Sequence, residues 1–412
     1  MALSVATSND TTADIVIAGA GIGGLTAALA LHARGITTTI LEAAVELRPL
    51  GVGINIQPAA VAELTALGLG DAMAATGIPT REHRYIDHTG VTLWTEPRGI
   101  AAGYPCPQYS IHRGELQTLL LNAVRERLGD HAIRTGVRLH DLQQTGGGVR
   151  VHVHDRVHGA DFTFEAAALI GADGLHSVVR GCLHPEHGAL NGAGVVMWRG
   201  LTEMGGFLDG HSMILANDQR ATRLIAYPIS ARHAARGEAL LNWVLLARIG
   251  TPGPVSSAGW DVPGQLADIL PHVAHWDLGW LDVRDVFERS AQILRYPMID
   301  REPLDRWGQG RVTLLGDAAH LMYPIGANGA SQAILDATAL AAELSRGGDV
   351  PAALERYEND RRPATTAIIR ANRQMDHAER ATSTRPADDK AAELATLTAE
   401  YRAVVERRRP TS

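Results

Sequence analysis

The sequence predicts an α/β fold: a parallel sheet covered by helices and assembled from discontinuous segments, an inserted and mainly antiparallel β-sheet domain, and helices at the C-terminal end. Three observations predict it. A glycine-rich GAGIGG (residues 19–24) directly follows the short apolar run DIVIA and opens a helical pattern. Two more turns that follow strand-like runs, GADG (171–174) and LLGDAAHLMYPIGANGA (314–330), lie far along the chain. Between them, four strand-like runs separated by loops replace the alternation of strand and helix.

Residues 14–18 are uniformly apolar after Asp14, as a strand buried on both faces should be. Ile22, Leu25 and Leu29 then recur at helical spacing, and residues 37–41 form a β-branched run that ends in Glu42, which completes a βαβ unit. Residues 84–94 read as a hairpin turning at 88–90, and 114–128 as a helix with Leu116, Leu119, Leu120, Val124 and Leu128 on one face. The strand at 149–153 is followed closely by His154, which shares a face with His152. Two such histidines could bind a metal, but no third ligand is apparent, so they read as exposed strand residues and no metal site is assigned. Residues 167–170 form the strand that enters GADG. The runs 195–199, 213–217, 224–229 and 241–247 form the antiparallel sheet. That region holds Trp198, Trp243, Trp260, Trp276 and Trp280, which read first as core and second as a wall around a flat aromatic ligand. Residues 312–315 return to the buried parallel pattern, and the chain is helical and charged from Pro351 through 391–408. The expected division is a disordered 1–12; a nucleotide-binding domain of 13–78, 106–182 and 292–370; a substrate domain of 79–105 and 183–291; and a C-terminal helical segment, 371–412.

A chain of 412 residues is long enough for two domains with sizeable cores. Its net charge of −7 provides no basic field for nucleic acid or an anionic membrane, and the arginines at 407–409 read as a solvated tail. Cys106 and Cys182 are too few for a disulfide framework and read as small packed residues, which points to a reducing, cytoplasmic setting. The first residues lack the basic and apolar regions of a signal peptide, and no run reaches the roughly 18 apolar residues of a membrane span.

The glycines carry the first chemistry. Gly19 allows a tight turn, Gly21 lets backbone approach a pyrophosphate, and Gly24 lets the helix that starts at Ile22 pack on the strand. The N–H groups and dipole of that helix favour phosphate charge. Glu42 stands where a carboxylate can bond adenosine ribose hydroxyls. In GADG, Asp173 can hold backbone N–H groups of the turn at Gly174 and sit beside the cofactor. Asp317 is expected to be buried between a strand and a helix, with ribitol hydroxyls as the partners it then needs. Pro324, Gly326, Ala327, Asn328, Gly329 and Ala330 form a tight loop opening a helix, whose N–H groups would face the flavin N1/O2 edge, where negative charge collects on reduction. The three motifs in this order point to FAD. With no Ser-His-Asp order or metal cluster, catalysis is assigned to the flavin environment of Pro324, Gly326 and Asn328, without an acid or base.

These residues resemble the group A flavoprotein monooxygenases, the single-component aromatic hydroxylases that include salicylate and p-hydroxybenzoate hydroxylases. GAGIGG, SIHRGEL (110–116), GADGLHSVVR (171–180) and RWGQGRVTLLGDAAH (306–320) occur in family order, and the likeness covers 14 to about 375. ELRPLGVGINIQPAAV (46–61), MWRG (197–200), YPISARHAA (227–235) and HLMYPIGANGASQAILD (320–336) resemble the 5-methylphenazine-1-carboxylate 1-monooxygenase branch.

The resemblance implies a Rossmann-like FAD-binding domain of the GR2 type, with NADH or NADPH, NADH favoured, as reductant. It also implies a cycle in which a flavin C4a-hydroperoxide hydroxylates an aromatic, phenazine-type carboxylate, with loss of CO2. It places Arg113 at the pyrophosphate or ribitol, Arg48, Gly53 and Ile54 in a loop near the flavin ring, and Val137 at adenine.

One departure matters. The p-hydroxybenzoate enzymes hold the substrate carboxylate with serine, arginine and tyrosine, whereas the nearest strand here reads MILAN (213–217). A larger, flatter, more apolar substrate is therefore expected, with Met197, Arg199, Met213, Tyr227 and Trp243 as candidate contacts and Arg199, Tyr227 and Arg223 as the polar ones. An N-methylated phenazinium is electron-poor, so a neutral phenazine acid suits electrophilic attack better. The partners expected are this substrate and O2, with no nucleic acid or membrane, in a monomer or homodimer. Ring hydroxylation without decarboxylation is the alternative. An NAD-dependent dehydrogenase or a non-catalytic flavin-binding protein are the readings from other classes.

Overall fold

The structure is a computed structural model that describes residues 11–405 except 187, 219, 221, 256–261 and 383–386. Strand Thr11–Ala18 is the axis of the first sheet, pairing in parallel with Thr38–Glu42 on one side and Ala160–Gly171 on the other. Ile133–Thr135 extends the sheet beyond Thr38–Glu42, and Val312–Leu314 pairs with the end of Ala160–Gly171. The strand therefore begins at Thr11, inside the segment expected to be disordered; residues 1–10 lie outside the described residues. Val16 and Ile17 have no exposed surface, which accounts for the unbroken apolar run.

Helix Ile22–His32 buries ten of its 11 residues because helices Arg113–Leu128 and Gly329–Ser345 flank it while it lies on the sheet. It has no polar face to show water, so the sequence pattern of one apolar stripe understates its burial. The strands Val137–Gln144 and Val149–Asp155 add an antiparallel edge. On it, His154 pairs with Asp161 2.8 Å away and the His152 ring lies 6.2 Å from that of His140. Among the described residues no group of three or more His, Cys, Asp or Glu could hold a metal.

The middle sheet runs Val262–Pro263, Ile293–Asp300, Leu190–Met204, Ala239–Arg248, Arg223–Pro228, Ser212–Asn217, Glu82–Asp87, Thr92–Pro97. All neighbours are antiparallel except Ser212–Asn217 with Glu82–Asp87. Ile293–Asp300 thus belongs to this sheet, although residues from 292 on were expected in the nucleotide domain. Its apolar alternation reads like any buried strand, and only its pairing with Leu190–Met204 assigns it.

Alternation sorts the sheet's two faces. Trp198, Trp243, Leu245, Ile214 and Ala216 pack against the helices Leu266–Val273 and Val283–Glu288. Val195, Met197, Val244 and Leu246 face the other way, onto Tyr323 and Ile325 of the third motif. A small sheet of Gly53–Ile56, Gln108–His112 and Ile78–Thr80 joins the two larger ones.

Helix Val350–Thr382 runs unbroken through residue 370, so 370/371 is no element boundary. Helix Ala387–Val405 packs back on it, and the arginines at 407–409 lie outside the described residues, as does Trp260. Cys106 is half-buried and Cys182 exposed rather than packed; both are free thiols. No described helix is long and apolar enough to cross a membrane.

Candidate flavin and substrate site

The three sequence motifs meet at the ends of the parallel strands. Gly19 has φ +104°, and a Cβ there would lie 2.5 Å from the Ala172 carbonyl oxygen, so the GAGIGG and GADG turns touch. A Cβ on Gly24 would strike the Gly19 carbonyl, and one on Gly23 would lie 2.7 Å from Leu315, within the third motif. At Gly21 and Gly174, by contrast, a Cβ would meet nothing within 4 Å: both face open space. Glu42 stands at the glycine loop, where its two carboxylate oxygens accept N–H bonds from Ala20 (2.8 Å) and Ala44 (2.7 Å). Asp173 accepts from the Ser177 hydroxyl (2.5 Å) and the Val178 and Val179 N–H groups (2.7 and 3.2 Å), capping the short helix Val178–Leu183. Burial pushes its carboxyl up from the usual aspartate range, while these bonds pull it back.

Asp317 departs from expectation. It is exposed, with Gly316, Ala318 and Ala319 buried around it, and its carboxylate has no hydrogen-bond partner among the described residues. Arg113, at the start of its helix, is likewise exposed and without a side-chain partner. Among the described residues the structure thus offers an exposed cation, an exposed carboxylate and two glycines that face open space. That donor and acceptor set fits FAD, with the guanidinium for pyrophosphate and the carboxylate for ribitol hydroxyls.

The turn that presents Asp317 is held from behind. Gly316, at φ +61°, donates its N–H to Asp336 Oδ2 at 3.1 Å. Asp336, fully buried, also accepts from His320 Nε2 (2.5 Å) and Arg361 Nε (2.8 Å), and Arg361 reaches Gln332 at 2.6 Å. Burial alone would raise the Asp336 carboxyl, but His320 and Arg361 hold it below the ordinary aspartate value. Trp307 covers the His320 ring, at a centroid distance of 5.4 Å.

The loop from Pro324 to helix Gly329–Ser345 contains two consecutive left-handed residues, Gly326 (φ +69°) and Ala327 (φ +54°). Gln57 supports it through Nε2 to the Gly326 carbonyl (3.1 Å), and through its N–H to Ser331 Oγ (2.9 Å). The first N–H groups of the following helix, including those of Gly329 and Ala330, have no acceptor within the helix. Asn328 is buried; its Nδ2 donates to Tyr401 and its Oδ1 has no partner.

Of the five substrate candidates, Met197, Arg199, Met213 and Tyr227 lie on the face turned to the nucleotide-binding part. Trp243 does not. It pairs with Gly200 on the far face, packs on Phe287 (4.4 Å between centroids) and donates to Ser290 Oγ at 2.8 Å. We therefore remove it from the candidates: strand parity points its ring into the core.

Tyr227 and one N–H of Arg199 are also engaged, while Arg199 Nε is buried without a partner among the described residues. The Gly53 carbonyl accepts from Arg199 Nη2 at 2.6 Å and from the Tyr227 hydroxyl at 3.0 Å. Asn242, which the sequence reading missed, accepts the Gly53 N–H at 2.7 Å. A single amide inside the apolar strand ALLNWVLLAR was the signal that could have found it. A Cβ on Gly53 would lie 2.7 Å from Asn242, so only glycine fits this joint. Burial lowers the Arg199 pKa and raises that of Tyr227.

Ile54 follows in the same strand, half-buried. Arg48 lies at the surface and pairs with Glu46 at 2.8 Å. Val137 is buried at the start of its strand, opposite Asp155. Arg223 opens the strand Arg223–Pro228, half-buried.

The family model for the FAD binding domain matches residues 12–222 and 285–372. A phenazine 1,6-dicarboxylic acid hydroxylase of Lysobacter antibioticus is 63% identical over 399 residues, 96% of this chain and 98% of that protein. A 3-hydroxybenzoate 6-hydroxylase of Aquipseudomonas alcaligenes is 32% identical over 86% of each chain. Among solved structures, Klebsiella pneumoniae HpxO complexed with FAD and uric acid superposes with a TM-score of 0.75 at 25% identity, covering 96% of this chain and 93% of that one.

Proposed function

Because the chain belongs to the FAD-binding-domain family of flavoprotein aromatic hydroxylases, we propose that it hydroxylates a neutral phenazine carboxylic acid at the carbon bearing the carboxylate, with release of CO2. The reductant is NADH or NADPH, NADH favoured, and the co-substrate O2. The atoms balance as acid, O2, NADH and one proton giving the phenol, CO2, water and NAD⁺. The observation that carries the reading is the commitment of Arg199 and Tyr227 to the Gly53 carbonyl. It leaves apolar side chains, the buried Met197 and Met213 among them, as those of this face that a substrate would meet, which suits a wide flat ring rather than a small benzoate gripped by charge.

FAD, when bound, takes reducing equivalents from the nicotinamide and activates O2. The protein's part is binding and exclusion. Arg113 holds the pyrophosphate against the N–H groups of the glycine loop, and Glu42 accepts from the adenosine ribose. Asp317 accepts from ribitol hydroxyls. The N–H groups at 328–330 stabilise negative charge at the pyrimidine edge, and Pro324, whose carbonyl accepts the Ala327 N–H at 3.1 Å, shapes the floor beside it. The methionine-lined face keeps water away and holds the ring carbon in line for oxygen transfer. Free thiols at Cys106 and Cys182 suit a cytoplasmic enzyme, as a monomer or homodimer.

The test is a screen of phenazine and benzoate acids for stimulated NADH oxidation, with product mass. A product lighter by about 28 Da and stoichiometric CO2 are expected from CO2 loss with oxygen gain. A product heavier by about 16 Da means hydroxylation without decarboxylation, and no stimulation by any phenazine acid refutes the substrate class.

A further inference from the structure

We propose that Tyr401, carried by the C-terminal helix Ala387–Val405, is a positioning residue for the flavin: its hydroxyl fixes the left-handed turn at Gly326 and Ala327 and so aims the N–H groups of 328–330 at the pyrimidine edge. The turn needs a brace. A left-handed residue with a Cβ costs on the order of 1–2 kcal/mol, and Ala327 carries one. Such a conformation persists only where its surroundings over-determine it.

Gln57 holds one side of the turn, through the Gly326 carbonyl. Tyr401 holds both ends from the other side. Its hydroxyl lies 2.9 Å from the Ile325 carbonyl oxygen before the turn and accepts the Asn328 Nδ2 proton at 2.5 Å after it. The same oxygen is 2.6 Å from Asn372 Oδ1 on the long helix Val350–Thr382, so one hydroxyl proton serves two acceptors. Among the described residues Tyr401 is the sole partner of the Asn328 amide, since Asn328 Oδ1 is buried without one. Gly326 has no room for a side chain because a Cβ there would collide with the Tyr401 hydroxyl.

The next residue ties the helix elsewhere. Arg402 Nη1 lies 3.0 Å from Glu96 Oε1 on the edge strand Thr92–Pro97, and Glu96 also pairs with Arg98 at 2.6 Å. One helical turn thus fastens the flavin loop, the long helix and the middle sheet together. Because the aimed N–H groups favour the reduced, anionic ring, the hydroxyl sets the reduction potential as well as the affinity.

The proposal rests on the flavin assignment and is independent of the substrate. The experiment compares Tyr401→Phe, which removes only the hydroxyl, with Arg402→Gln, which loosens the helix but keeps it. Three readouts are taken on the full chain: amide hydrogen exchange at 325–330 without FAD, FAD affinity by fluorescence titration, and the flavin midpoint potential. Tyr401→Phe is expected to speed exchange in that loop and to weaken FAD about five- to tenfold, the worth of one hydrogen bond. Preference for reduced over oxidised flavin should fall by a similar factor, about 20–30 mV more negative for a two-electron couple. Arg402→Gln should leave the potential unchanged. Wild-type values in Tyr401→Phe overturn the proposal. So does an equal shift in Arg402→Gln, which would assign the effect to the docked helix rather than the hydroxyl. A wild-type protein that binds no FAD sinks the flavin assignment instead, and one that binds FAD but ignores phenazine acids sinks only the substrate.

Discussion

Asp336→Asn tests the ionic cluster behind the Asp317 turn. Asp336 has no exposed surface and Arg361 only 7%, and the two are 2.8 Å apart. Removing the carboxylate's charge leaves a buried guanidinium with only neutral amide oxygens and no counter-charge, and breaking a buried pair in this way costs about 3–5 kcal/mol. That is a large share of the roughly 5–15 kcal/mol that holds a typical domain folded. The sign with pH is fixed. The folded pKa of Asp336 is depressed, so the stabilisation is fully present above the unfolded value, about 4, and is lost as pH falls through the folded one.

Urea unfolding of the apoprotein at pH 7, followed by tryptophan fluorescence, should show the full loss for Asp336→Asn. The double variant Asp336→Leu with Arg361→Met removes both charges, and apolar replacement of a buried pair is often neutral or stabilising. It should recover most of the stability. It should not recover FAD affinity, because the Gly316 N–H still lacks its acceptor and Asp317 is no longer held in place. A single variant within about 1 kcal/mol of wild type, or a double variant as unstable as the single, would refute the reasoning.

Arg113→Ala should weaken FAD by roughly 10- to 100-fold, the worth of a charge-assisted hydrogen bond, while apoprotein stability moves by less than about 0.5 kcal/mol; isothermal titration and urea unfolding check the two halves. Trp243→Phe should cost about 1–3 kcal/mol through the lost Ser290 bond and core volume, yet leave the KM for the aromatic substrate unchanged, because the ring faces away from the site. Burial, helped by Arg98 and Arg402 nearby, holds His83 well below the usual histidine pKa. The unfolded chain therefore takes up a proton that the folded one refuses, and stability should fall as pH drops below about 6.5, by up to roughly 1.4 kcal/mol per unit. His83→Gln should flatten that slope in thermal melts across pH 5–8, taken as about that range.

Much of this was legible because each motif carried its context. GAGIGG after an apolar run and before a helix is a strand-turn-helix signature, and its glycines do meet the GADG turn. The antiparallel character of the insert followed from strand spacing. What failed to show was pairing. Ile293–Asp300 looks the same in either sheet, and the register that assigns it is a long-range fact. Asp317 was expected to be buried because it lies between a strand and a helix, but a single side chain leaving a buried turn has no sequence signature. Trp243, read first as core, was still carried as a substrate candidate because, on a strand apolar on both sides, parity does not announce itself. Tyr401 lies in a charged helix whose pattern reads as solvent-facing, and nothing nearby marks it as the partner of a loop over seventy residues earlier.

The joint at Gly53 has a consequence for altering this enzyme. Arg199, Tyr227 and Asn242 read a peptide unit, not a side chain, and that peptide belongs to the strand beside the flavin loop. The hinge between the sheets and the walls of the pocket are therefore separate inventories. On the substrate face proposed above, exchanging Met197 and Met213 for residues of other shapes should re-cut the acceptance of aromatic substrates while the three fasteners hold the sheets in register.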